Sequence, residues 1–178
     1  MNEIQKTLPE YIERKEFTWH NYNESQTKEK ALFVNLLFDL CSLIKEKEHN
    51  KVGRKPTKIS DIIFAMVMKE YLNISSRRIQ SDLKLFKEAE FMESEIPFNT
   101  LLDHMEKVEL KPILKQLIEL SSLPLKEIEF DFAIDSTGFS VSRYVTYFDF
   151  KHKKDRRSKI LRKCHAVCGV KTNVITSV

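Results

Sequence analysis

The sequence predicts an α+β protein in which a run of helices comes first and the start of a β-sheet follows. Glycine and proline are scarce, at 3 and 5 residues, which favours helices over an all-β fold. Apolar residues recur at helical spacing as far as about Pro124 and then alternate with polar residues, as in a strand. We therefore expect a helical domain over residues 1–124 and the beginning of a second, sheet-containing domain over residues 125–178.

The first predicted helix follows an irregular, polar arm over residues 1–27. Thr27 is a suitable N-cap, and apolar residues then recur at helical spacing through Leu32, Leu36, Leu40 and Leu43. The apolar stripe is no wider than a packed helix requires, so we expect the stripe to face the core. A basic turn, Val52-Gly53-Arg54-Lys55-Pro56, ends this part of the chain, either as a solvated linker or as an arm that contacts phosphate.

Four more helices are predicted before the boundary. The second runs from about Ser60 to Leu72, and Asn73 breaks it. Ser75 is the expected cap of the third, which would carry Arg77 and Arg78. The fourth is expected to begin at a capping Asn99 and to bury Leu101, Leu102, Met105 and Val108. The fifth has Pro112 in its first turn and runs to about Leu120.

The helical unit resembles a helix-turn-helix DNA-binding arrangement, in which two helices and a break precede a further helix. The predicted contacts to bases or phosphates come from the third helix and from the outer face of the fourth. These residues are Arg77, Arg78, Asn99, Thr100, His104 and Lys107. The alternative is that Asn99 only caps its helix and that the other side chains are solvated.

The first predicted strand contains the candidate catalytic residue. The strand is expected to cover Glu129 to Asp135 and to end at a turn formed by Ser136-Thr137-Gly138. A carboxylate at the end of an apolar strand is costly unless it is paired, and a divalent metal is the usual partner. Asp135 is therefore either a metal ligand or a side-chain cap of the turn. Cys164 to Val170 and Asn173 to Val178 predict two further strands that form an antiparallel hairpin.

The charge of the chain is divided unevenly between its two parts. Residues 139–178 hold ten cations and two acids, a net charge of +8, so the overall +4 leaves −4 for residues 1–138. Such asymmetry points to a polyanionic partner. The dense part of this cationic tail comprises Lys151, Lys153, Lys154, Arg156, Arg157, Lys159, Arg162 and Lys163. We expect these side chains to contact the phosphates of duplex DNA and to make binding strongly dependent on salt.

The cysteines and the hydropathy of the chain exclude other classes. Three cysteines make no disulfide framework, which indicates a cytoplasmic protein. Cys164, His165 and Cys168 lack the paired spacing of a structural zinc site, so thiols in a sheet explain them more simply. No apolar N-terminal run resembles a signal peptide, and no apolar stretch is long enough to span a membrane.

Taken together, the motifs resemble those of the DDE transposases of bacterial and archaeal insertion sequences, whose catalytic core is RNase H-like. The similarity extends from Trp19-His20-Asn21-Tyr22 through the basic turn, Ser75-Ser76-Arg77-Arg78 and Pro97-Phe98-Asn99-Thr100-Leu101. Its most specific part is Asp131-Phe132-Ala133-Ile134-Asp135-Ser136-Thr137-Gly138-Phe139-Ser140, followed by Lys163-Cys164-His165 and Cys168-Gly169-Val170-Lys171-Thr172-Asn173.

The resemblance implies a role for each part of the chain. The helices would bind the terminal inverted repeats at the ends of the element, in a prokaryotic cytoplasm and near the nucleoid. Asp135 would be the first acidic residue of the catalytic triad, on the first strand of an RNase H-like sheet. Together with later acids, Asp135 would hold two Mg²⁺ or Mn²⁺ ions that activate the attacking oxygen and stabilise the leaving one. The resemblance leaves a homodimer on the DNA open.

The sequence departs from the family pattern after Asp155, because no acidic residue follows it. We therefore expect the N-terminal portion of a transposase, which binds DNA but does not cleave DNA alone, because one carboxylate does not make a two-metal site. The competing hypotheses are a DNA-binding protein without enzymatic activity that occupies element ends and an RNase H-like nuclease of another kind.

Overall fold

The computed structural model describes residues 18–46, 53, 55–140 and 161–178. Within these ranges, five α-helices precede three β-strands. The helices are α1 (Trp19–Ser42), α2 (Ile59–Leu72), α3 (Ile79–Glu88), α4 (Phe98–Met105) and α5 (Lys111–Ser122). The strands are β1 (Phe132–Ser140), β2 (Leu161–Gly169) and β3 (Ile175–Ser177), and short 3₁₀ turns lie at Val108–Leu110 and Leu123–Leu125. The predicted α+β class and the change from helix to strand after Pro124 are confirmed.

The first helix begins earlier than the sequence predicted. The hydroxyl of Thr18 accepts a hydrogen bond from the Asn21 backbone N–H at 3.3 Å, which makes Thr18 the N-cap. Thr27 lies inside the helix, where its hydroxyl donates to the Asn23 carbonyl at 2.7 Å. The prediction that Thr27 caps the helix was therefore wrong. The prediction of an irregular arm was wrong for residues 19–27, which are helical. The earlier part of the predicted arm, residues 1–17, lies outside the described residues.

The apolar stripe predicted for α1 is only partly buried. Val34, Leu37 and Cys41 are buried, at spacings of three and four residues. Leu32, Leu36 and Leu43, which the sequence assigned to the core, remain exposed. The described residues form two compact units that divide after Leu37, so the first unit contains most of α1 and the second contains the other elements.

The core of the second unit is built around α2. This helix buries an almost continuous run from Asp61 to Met66, and Met68 is fully buried. An aromatic cluster packs beside it and consists of Phe38, Phe64, Phe86 and Phe91, with ring centroids 5.5 to 6.4 Å apart. The Glu46 carboxylate holds the start of α2 by accepting hydrogen bonds from the backbone N–H groups of Ile59 and Ser60, at 2.9 and 2.8 Å.

Two predicted helix caps do not form. The side chain of Ser75 makes no capping bond, and α3 begins only at Ile79, so Arg77 and Arg78 lie in the turn before the helix. The N-cap of α4 is Pro97, and Asn99 lies inside the first turn of the helix instead of capping it. Pro97 is extended, with φ −61° and ψ 144°, and α4 begins without a side-chain cap. Leu101 is buried as expected, but Leu102 and Val108 are exposed.

The three strands form an antiparallel sheet in the order β1-β2-β3. β1 does not end at Ser136 as predicted, because Ser136, Thr137 and Gly138 pair with His165, Cys164 and Lys163 of β2. Asp135 pairs with Ala166 and therefore lies in the middle of β1 and not at its end. The predicted hairpin between β2 and β3 is confirmed, with Asn173 in the left-handed region at φ 57°.

Candidate nucleic-acid interface and the Asp135 strand

The predicted arginine pair lies in the turn that joins α2 to α3. Asn73 ends α2 in the left-handed conformation, with φ 51°. Ser76 is buried in the turn, whereas the neighbouring Arg77 and Arg78 are exposed. Ser76 thus packs the turn against the protein interior, while Arg77 and Arg78 lie at the surface.

Arg77 also contacts the start of α4. The central carbon of its guanidinium lies 5.4 Å from the centroid of the Phe98 ring, within the range of a cation–π interaction. Ile79 at the start of α3, and Ile96 and Leu101 on either side of Phe98, are fully buried. The contact therefore joins the turn before α3 to the first turn of α4, and buried side chains flank both segments.

None of the five predicted DNA-binding cations within the described ranges has a carboxylate partner there, and Lys107 contacts His104 instead. The ion pairs found within these ranges are Lys28–Glu24, Lys58–Glu93 and Lys69–Glu70. The side chains of Arg77, Arg78, Arg162 and Lys163 take part in none of them. Cations without partners at a protein surface remain available to an external anion.

The other residues predicted to contact DNA from α4 differ in how exposed their side chains are and in whether other residues already bind them. Asn99 is exposed and Thr100 is half-buried. His104 uses both ring nitrogens internally, because Nδ1 lies 2.8 Å from the Thr100 carbonyl oxygen and Nε2 lies 3.0 Å from the Lys107 ammonium. Since an ammonium group only donates, Nε2 is the acceptor in the contact with Lys107, and Nδ1 is the donor to the Thr100 carbonyl. His104 would have to give up a bond before it could contact a base.

The dense part of the cationic tail is described only at its end. Arg162 and Lys163 lie on β2, where they pair with Phe139 and Gly138, and both are exposed. Lys151, Lys153, Lys154, Arg156, Arg157 and Lys159 lie outside the described residues.

The candidate catalytic residue, Asp135, is exposed on β1. One of its carboxylate oxygens accepts a hydrogen bond from the Ser136 backbone N–H at 2.6 Å, and the other has no partner among the described residues. Ala166, opposite Asp135 on β2, has a small side chain that leaves the approach to the carboxylate open. Within the described ranges, no three His, Cys, Asp or Glu side chains lie close enough together to hold a metal ion.

Two buried carboxylates were not singled out from the sequence. Asp61 accepts backbone N–H bonds from Ser94 at 2.9 Å and Glu93 at 3.4 Å, but burial still raises the pKa of Asp61 above its usual value. Glu129 accepts bonds from Lys171 and Thr172 in the β2–β3 turn. For Asp61 the available signal was an acid directly before the buried apolar run of α2, whereas Glu129 lies between the exposed Ile128 and Phe130. In neither case does sequence spacing reveal the distant partners.

The three cysteines are free thiols at buried or half-buried positions. Burial, with a smaller contribution from the Asp61 carboxylate, raises the pKa of Cys41 to about 12, so its thiol stays protonated at neutral pH. Cys164 and Cys168 are free and half-buried on β2, so both thiols lie in the sheet as the sequence predicted. None of the helices in the described part of the chain has the length and apolar character needed to cross a membrane.

Comparisons with known proteins return no match. No family model fits the chain, and neither the curated proteins nor the solved structures include a significant relative.

Proposed function

We propose that the chain is a DNA-binding part of an insertion-sequence DDE transposase. In this proposal, the turn before α3 and the first turn of α4 bind duplex DNA at the terminal inverted repeats of the element. Asp135 supplies one carboxylate for the metal-dependent cleavage and strand-transfer reactions.

The observation that carries the DNA-binding proposal is the pair of exposed guanidinium groups at the turn before α3. Arg77 and Arg78 have no acidic partner among the described residues, and Arg77 lies against the helix start that presents Asn99. A guanidinium has a planar set of N–H donors that suits a phosphate oxygen pair. Asn99 is an amide that can donate to and accept from the same adenine edge. Cations beside an exposed amide match the division between phosphate contacts and base contacts in DNA recognition.

Asp135 suits the role of a metal ligand in this proposal. Its carboxylate is exposed, one of its oxygens has no partner in the described part of the chain, and the residue opposite is an alanine. Mg²⁺ and Mn²⁺ prefer carboxylate oxygens and keep several waters, so an open, solvated carboxylate is compatible with either ion. When bound, such ions would lower the pKa of a nucleophilic hydroxyl and neutralise charge on the phosphate.

The experiment is a DNA-binding titration of the parent chain and of the double variant Arg77→Ala/Arg78→Ala. The probe is a fluorescent duplex taken from the DNA that flanks the coding sequence. If both arginines contact phosphates, the double variant binds more weakly. The negative slope of log affinity against log salt also becomes shallower by about two.

The matched control is Lys111→Ala/Lys115→Ala, which removes the same charge from exposed positions on α5. We expect this control to keep a salt slope close to that of the parent. Equal losses in both double variants would contradict the proposed interface, because the effect would then follow net charge and not position.

A further inference from the structure

We propose that Phe98 is a positioning residue whose ring holds the Arg77 guanidinium in place to contact a DNA backbone phosphate. This inference rests on the proposed DNA-binding function and adds a residue that does not itself need to touch DNA. Its basis is the 5.4 Å distance between the central guanidinium carbon and the centroid of the Phe98 ring.

The contact is of a kind that can orient a charged group without neutralising it. An aromatic ring attracts a cation through its electron-rich face, whereas a carboxylate would cancel the charge and occupy the N–H donors. Arg77 has no ion pair or hydrogen bond from its side chain to another described residue. Its donors therefore stay available, while the ring restricts where the guanidinium can lie.

Arg77 and Phe98 both lie close in sequence to buried residues. Ser76 is buried next to Arg77, and Ile96 is fully buried two residues before Phe98. The side-chain amide of Gln80 on α3 donates to the Ile96 carbonyl at 3.1 Å, which ties the segment before α4 to α3. The Phe98 ring and the Arg77 backbone are thus both held by buried neighbours. Only the long Arg77 side chain keeps conformational entropy that DNA binding would reduce.

The expected ligand of Arg77 is a phosphate and not a base. Arg77 lies in the turn beside α4, whereas Asn99 lies on the helix itself. Groups that flank the reading element generally contact the backbone and fix its orientation. An arginine that is ordered before binding loses less side-chain entropy when it meets the phosphate, so the ring adds affinity without adding charge.

The test compares Phe98→Leu, Phe98→Tyr, Arg77→Ala and the double variant Phe98→Leu/Arg77→Ala in a salt-dependent DNA titration on the flanking duplex. We expect Phe98→Leu to weaken binding about two- to fivefold with an unchanged salt slope, because the charge is kept and only its orientation is lost. Phe98→Tyr keeps the ring and should bind like the parent. Arg77→Ala should lower the slope by about one, and the double variant should bind no more weakly than Arg77→Ala.

Circular dichroism of each variant checks the fold, and Phe98→Met replaces Phe98→Leu if the leucine variant loses helicity, because methionine fills irregular space. If the parent binds and the loss at Phe98 adds to that of Arg77→Ala, or is absent, the positioning role is wrong while the proposed function stands. If the parent does not bind the flanking duplex at all, both the inference and the proposed function are wrong.

Discussion

Glu129 is a buried carboxylate that connects the start of β1 to the turn between β2 and β3. Its oxygens accept hydrogen bonds from the Thr172 backbone N–H and hydroxyl, both at 2.8 Å, and from the Lys171 N–H at 3.2 Å. Gly169 lies directly beneath the carboxylate, and a Cβ added there would collide with it. Burial alone would raise the pKa of Glu129, but the bonds from Thr172 and Lys171 outweigh burial and lower this pKa below its usual value.

The lowered pKa predicts a pH-dependent contribution to stability. Because the folded pKa lies below the unfolded one, the carboxylate stabilises the fold above the unfolded value of about 4.3. That contribution is lost as the pH falls through the folded pKa. We expect Glu129→Gln to melt at a lower temperature than the parent at neutral pH, and the difference to shrink as the solution is acidified.

Thermal melts followed by circular dichroism across this pH range measure the difference. The matched control is Glu127→Gln, because Glu127 is exposed and its side chain makes no bond to another described residue. The control should melt close to the parent at every pH. If the difference in melting temperature between Glu129→Gln and the parent stays constant down to acid pH, the proposed charged interaction is contradicted.

Among the elements, α3 has an unusual C-terminus, because Glu90 adopts the left-handed conformation at φ 63°. The Phe91 N–H bonds to the Phe86 carbonyl at 2.9 Å, and the Glu90 N–H bonds to the Lys87 carbonyl at 3.0 Å. These two bonds define a Schellman motif, and the contact between the Phe86 and Phe91 rings supplies the apolar pair that often accompanies it. Glycine is the residue best suited to the Glu90 position.

Glu90→Gly is therefore expected to stabilise the protein. The left-handed conformation costs roughly 1–2 kcal/mol for a residue with a Cβ, and the extra chain entropy of glycine returns part of it. The net expected gain in the free energy of unfolding is about 0.5–1 kcal/mol. Urea denaturation measures this gain. Lys84→Gly, at an exposed position in the middle of α3, should instead destabilise by about 1 kcal/mol, and a loss in both variants would contradict the assignment of the cap.

The helices were largely predictable because the information that defines them is local. The spacing of apolar residues gave α2 and α5 to within one or two residues of their ends. The start of α1 was missed because Thr18 and Thr27 are equally good caps by type, and only the bond from Asn21 shows which of them is used. Asn99 was mistaken for a cap because asparagine is a favoured cap by type, whereas α4 begins at Phe98 after Pro97 without a side-chain cap.

The sheet and the site depend on pairing between distant residues, which the sequence does not specify. Ser136-Thr137-Gly138 has the composition of a turn but is held in β1 by its partners on β2. The sequence identified Arg77 as a candidate but not Phe98, because their contact joins segments on either side of α3. Likewise, the bond between Glu129 and Thr172 crosses much of the chain and leaves no local signal.

Charge is distributed unevenly along the whole molecule. The residues after Phe139 carry the excess of cations, and the described members Arg162 and Lys163 are exposed on β2. We predict from the sequence that Arg156, Arg157 and Lys159 contact phosphates. Changing all three to alanine should lower the salt slope of DNA binding by roughly two to three units.

Sequence preference should survive that change, because phosphate contacts do not read bases. The measurement is a set of titrations at several salt concentrations with a flanking duplex and a shuffled duplex. An unchanged slope would remove the three residues from the interface, and a lost preference would mean that they contribute to base recognition.

Footprinting tests whether the chain recognises the ends of an insertion sequence. The parent is bound to a long duplex that contains its own coding sequence with the DNA on both sides, and hydroxyl-radical cleavage maps the protected bases. We predict two protected sites of similar sequence in inverted orientation, one on each side of the coding sequence. Uniform protection, or a single site without an inverted counterpart, would contradict the claim.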